Sequence, residues 1–188
     1  GTSSSGRGGA FIAKASHSTE LKGGDVDIAS GSSGSSSSGH VSVQSTSSRQ
    51  ASGDLTMATG TADGAQSGSV QIYSGESLSA EAGDVALTAG QGMYGGSINI
   101  ASGKSVDGRG GPVSIVSAVG TDGSGDIVLA SDSSGHGSGS IQIATGTSML
   151  GTAGSVVLSA GSTGTGKAGD VLISSGNGLD GASSVVVS

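Results

Sequence analysis

Cysteine is absent from this chain, which removes disulfides and thiolate metal sites and leaves the redox compartment unreadable. Aromatic residues make up only 2% of the sequence and tryptophan is missing, so a globular core built on large side chains is excluded. Proline occurs once. Positive charge is scarce: Arg7, Lys14, Lys22, Arg49, Lys104, Arg109 and Lys167 stand scattered against fourteen acidic residues, for a net charge of −7. That balance argues against nucleic acid and anionic membranes as partners. No apolar run approaches the ~18 residues of a membrane span. No segment repeats its apolar residues at the helical period of 3.6. The opening Gly1-Thr-Ser-Ser-Ser has no Met and no leader, and is read as a processed product or a fragment.

What is abundant is glycine, 39 of 188 residues, together with serine. Such a composition usually marks a flexible linker. Here it carries a phase, which a linker does not need. A glycine, a short polar residue and two apolar residues separated by one position recur throughout, at a period of roughly 15 residues or slightly less. The phrase runs through Gly24-Asp-Val26-Asp-Ile28, Gly39-His-Val41-Ser-Val43, Gly53-Asp-Leu55-Thr-Met57, Gly68-Ser-Val70-Gln-Ile72, Gly83-Asp-Val85-Ala-Leu87 and Gly96-Ser-Ile98-Asn-Ile100. It continues through Gly111-Pro-Val113-Ser-Ile115 and Gly125-Asp-Ile127-Val-Leu129, and then through units starting at Gly139, Gly154, Gly169 and Ser183. A fixed period of this kind is the signature of stacked repeats.

Within each phrase the alternation places both apolar residues on one face and the residue between them on the other. The third inward position is small (Ser30, Thr59, Ser74, Ala89, Ser102, Thr145, Ser175), which predicts a narrow interior. The expected fold is all-β: a flattened parallel β-solenoid with two facing parallel sheets. Steps between first apolar residues wander between 13 and 15, whereas steps of two units counted from Val41 stay at 28 or 29. The tighter doubled step favours coils of about 29 residues, each contributing two strands. One-strand coils of about 15 residues are the alternative. Residues 1–23 are expected to form an irregular cap and first unit, and residues 24–188 the repeat solenoid. Apolar residues eight positions after the first of a pair (Leu78, Met93, Val106, Met149, Leu179) are expected to plug corners. The last unit, Val185-Val-Val187-Ser188, lacks a cap, so the molecule stacks end to end or continues further.

Several motifs carry the letters of a site without its context. Gly161-Ser-Thr-Gly-Thr-Gly166-Lys167 has phosphate-loop spacing, but Ala168 stands where a Ser or Thr would hold Mg²⁺ and no helix is expected to follow. Gly90-x-Gly92-x-x-Gly95 and Gly176-x-Gly178-x-x-Gly181 match a dinucleotide fingerprint, as chance allows in a chain one-fifth glycine. His17, His40 and His136 sit apart from one another and outside any nucleophile context, so no enzyme activity is expected. Asp25, Asp54 and Asp84 precede the apolar pair in alternate units. Stacked, they would repel by about 1 kcal/mol per pair at surface dielectric. A Ca²⁺ ion could relieve that repulsion, and hydrogen bonds from loop amides are the plainer reading. No other cofactor is implied. The residues between the pairs turn apolar toward the C-terminus, and Val128, Val157, Val186 and Leu172 form a candidate association surface.

The phrase Gly83-Asp-Val-Ala-Leu-Thr-Ala-Gly90, with Gly96-Ser-Ile-Asn-Ile-Ala-Ser-Gly103 and the Ser/Gly loops between, resembles the Gly/Ser-rich solenoid repeats of surface and fibre proteins in algae and other protists. The likeness spans nearly the whole chain from about residue 8. It implies an extracellular or cell-surface structural role, and such a family has no catalytic set to carry over. The expected function is a non-enzymatic module of an extracellular filament or surface fibre, a homo-oligomer or filament assembling through its ends and lateral faces. O-linked glycans on serine fit that setting; no N-glycosylation sequon occurs. Two other functions stay open. An ice-binding face needs regularly spaced Thr, and only Thr56 is found among the outward central positions. A carbohydrate-contacting adhesin shaft needs exposed aromatics, of which Phe11, Tyr73 and Tyr94 are the whole supply.

Overall fold

Serine and glycine shape this chain more than its aliphatic residues do. The computed structural model describes residues 6–178 and 181–187, in two units, Gly1–Ile98 and Asn99–Ser188. Gly1-Thr-Ser-Ser-Ser, Leu179, Asp180 and Ser188 lie outside the described residues.

Neither unit contains the expected β-solenoid. Among the described residues the sole sheet is a two-residue antiparallel ladder, in which β1 (Asn177–Gly178) pairs with β2 (Gly181–Ala182). The segments bearing the apolar pairs have no regular secondary structure and no parallel pairing, so neither the two-strand coil nor its one-strand alternative is formed. No described side chain is buried, so the dry slab of meshed Val, Ile and Leu is absent. The chain exposes 18962 Å². A folded monomer of its 17.4 kDa would expose roughly 7,900 Å² and its unfolded chain about 25,000 Å². The structure therefore hides about a quarter of the unfolded surface, where a domain of this length hides about 70%.

The physical reason lies in the hydrogen bonds. A solenoid requires each segment to offer its amides to the next coil at about 4.8 Å. Here, in six of the units, the glycine at the head donates its N–H back across its own loop instead. Gly24 donates to the carbonyl of Ser16 at 3.0 Å, Gly39 to Gly31 at 2.9 Å, Gly96 to Gly90 at 3.0 Å and Gly111 to Gly103 at 3.0 Å. Gly125 donates to Ala118 at 3.1 Å and Gly169 to Gly161 at 3.3 Å. Contacts between residues twelve or more apart are sparse.

The period survives as a string of closed loops. Among the described residues the chain bends once in each repeat up to the unit at Gly154, at 19–21, 34–36, 49–50, 63–65, 78–80, 92–94, 106–108, 121–122, 135–136, 149–151 and 164–166. Serine makes many of these bends. Its hydroxyl accepts the backbone N–H two or three residues on, as Ser33 does from Ser36 at 3.0 Å, Ser77 from Ala80 at 3.1 Å and Ser148 from Gly151 at 3.0 Å. Ser18 does the same for Leu21. Two bends need a left-handed glycine, Gly108 at φ 111° and Gly166 at φ 99°. Leu78, Met93, Val106 and Met149 lie on the outside of these bends, at least 95% exposed, and plug no corner.

The small third residue also acquires a different explanation. It does not narrow a core; it faces the glycine heading the next unit, at the neck of the loop. A Cβ placed on Gly39 would lie 3.3 Å from the Cβ of Ser30, one on Gly68 3.4 Å from the Cγ2 of Thr59, and one on Gly96 3.3 Å from the Cβ of Ala89. The same approach recurs between Gly83 and Ser74, Gly111 and Ser102, and Gly154 and Thr145. Ser30 adds a second tie, its hydroxyl donating to the Gly39 carbonyl at 2.9 Å.

Candidate functional site

Two chemistries were expected of particular residues, a carboxylate column and an apolar surface. Asp25, Asp54 and Asp84 are not gathered: among the described residues no three His, Asp or Glu side chains are placed to hold a metal ion. Among the described residues no amide donates to Asp25. Its carboxylate pairs with Lys22 three residues earlier, Nζ to Oδ1 at 2.8 Å, with both side chains about four-fifths exposed. Asp170 repeats the arrangement with Lys167 at 2.7 Å. No such partner is formed for Asp54 or Asp84 among the described residues, and neither unit supplies a Lys at that offset. A cation with its oxygen ligands thus has no preformed cage here.

The Lys–Asp clamp escaped the sequence reading although its signal is plain. Lys22-Gly23-Gly24-Asp25 and Lys167-Ala168-Gly169-Asp170 share the frame Lys-x-Gly-Asp, and in both the glycine N–H closes the loop. The clamp also accounts for the phosphate-loop letters of 161–167. Lys167 reaches forward to a carboxylate, the N–H of Gly169 is spent on the carbonyl of Gly161, and the residues after it are not helical. The amides that would cradle a phosphate are not presented together at a helix N-terminus.

The apolar pairs are the most regular feature of the surface. The first residue of each pair, from Val26 to Val185, is 48% to 60% exposed. The second member lies near 70% in eleven of the twelve units. The four candidate interface residues, which stand between the members of their pairs, are more open: Val128 83%, Val157 80%, Leu172 87% and Val186 78%. In the units at 127–129, 156–158 and 171–173 the pair is thus the more sheltered and the residue between its members the more open, whereas in the last unit Val187, at 92%, is more open than Val186. The core that the alternation was thought to imply is not formed. Tyr73 and Tyr94 stand on the surface, in separate repeats, and no cavity opens beside them among the described residues. No helix is long and apolar enough to cross a membrane among the described residues.

No protein-family model, curated protein or solved structure matches the chain.

Proposed function

We propose that this chain is a non-enzymatic structural module of an extracellular filament or surface fibre, working by association with copies of itself. One observation carries the reading: twelve apolar pairs recur in phase and every one stands in water. A soluble monomer rarely leaves apolar surface of that extent uncovered, and a surface that repeats along the chain suits a partner that repeats in the same way. The likeness of the repeated phrase to those of algal and protist surface fibres supports an extracellular place. So do the serine hydroxyls, carried outward on the loops where O-linked sugars and water reach them. The scattered titratable groups lend nothing to catalysis, since His17, His40 and His136 belong to three different repeats. Val128, Val157, Val186 and Leu172 serve lateral contact between assembled chains.

Negative-stain electron microscopy of the concentrated chain is the direct test. Fibres or regular bundles are expected; dispersed single particles at millimolar concentration would reject the reading.

A further inference from the structure

We infer that the sheltered side of the apolar pairs is the primary contact between chains, and that copies of this chain cover one another there, becoming ordered only as they associate. This rests on the structural reading above and names the surface responsible. The chain leaves about 11,000 Å² more surface in water than a folded protein of its mass. A stable interface takes only about 1,200–2,000 Å². That excess, polar and apolar together, is far larger than a single docking patch, and both units carry exposed apolar pairs within it. A partner covering it must present apolar residues at the same uneven spacing, including the short step of 13 from Val85 to Ile98 among steps of 14 and 15. A copy of this chain does so at every step.

The two sides of each segment then have different tasks. Ile127 and Val156, 58% and 50% exposed, lie on the side that copies cover first. Val128 and Val157, 83% and 80% exposed, remain outside and hold finished assemblies together. Charge sets the direction of the salt effect. Copies carrying −7 each repel, so salt strengthens their association, whereas it would weaken capture of a basic partner.

The experiment follows sedimentation and amide exchange of the full chain from micromolar to millimolar concentration, at low and high salt. Three forms are compared: the native sequence, Ile127→Ser with Val156→Ser, and Val128→Ser with Val157→Ser. Association and amide protection are expected to rise together, at lower concentration in high salt. The first double variant should move the midpoint at least about tenfold upward, and the second less than about threefold. The second should instead lose bundling of the assembled species. Equal shifts from both variants, or a larger one from the second, overturn the inference while leaving a filament-forming module intact. A native chain that stays monomeric at every concentration and salt overturns both. Ordering on neutral phosphatidylcholine vesicles without self-association assigns the covering to lipid and overturns the inference as well.

Discussion

At the tightest neck, a single missing methyl group leaves room for the loop to close. Gly24 lies so near Ala15 and Ser16 that an added Cβ would sit 3.1 Å from the Ala15 Cβ and 3.3 Å from the Ser16 nitrogen, whereas one on Gly34 would meet nothing within 4 Å. Gly24→Ala is therefore expected to open the 16–24 neck and free the Gly24 amide, and Gly34→Ala to leave its loop intact. Losing one exposed hydrogen bond is worth about 0.5–1.5 kcal/mol, so limited proteolysis within 17–23 should quicken by about two- to tenfold in the first variant only. Equal cleavage of both would show that the neck is not held by close approach. The Lys167–Asp170 pair makes the opposite point. Both side chains are largely in water, where such a pair contributes about 0–1 kcal/mol, so Lys167→Ala should leave the concentration at which chains associate unchanged within error. At this scale much was legible. The glycine, the small residue a loop's length before it and the Lys-x-Gly-Asp frame all stand in the sequence. Their meaning was not, because smallness beside a loop neck and smallness inside a core are written with the same letters.

The repeated element is a closed loop joined to an extended apolar pair, and its parts differ in tolerance. The loop from Gly31 to Gly39 closes over a longer stretch than that from Ala118 to Gly125, and that from Gly90 to Gly96 is shorter again. All three close with bonds of 2.9 to 3.1 Å. Deleting Ser36 and Ser37 makes the first loop as short as the third, and association should persist at the native concentration by light scattering. Replacing Val41 and Val43 with Ser should weaken association about tenfold in the same assay, because both pair residues are then polar. The alternation of each segment was readable from Val, Ile and Leu at every second position, and the exposures at 127–129, 156–158 and 171–173 follow it. Parallel pairing was not readable in the same way. Period two describes how side chains face along one segment and says nothing about which backbone, if any, lies about 4.8 Å away. Hydroxyl-made bends at Ser33, Ser77 and Ser148 satisfy amides locally, and an amide satisfied locally does not recruit a neighbouring coil.

For the whole molecule, composition set the outcome before any motif could. With 39 glycines and three aromatic residues, the chain has few large side chains to pack against one another and much backbone freedom to lose. It accordingly keeps 18962 Å² in contact with water. Dilute chain at low salt should show amides exchanging at near-intrinsic rates; protection of the extended segments in a chain shown to be monomeric would contradict that expectation. The apolar period was read as the signal of an interior within one polypeptide, and no such interior is formed among the described residues. Six of the necks are bridged by a glycine N–H and a carbonyl of the same loop, so these loops do not depend on a distant repeat for their shape. Copies of the repeat can therefore be gained or lost without disturbing those that remain, and length becomes a quantity that heredity can adjust one unit at a time while the rest of the design stays as it was.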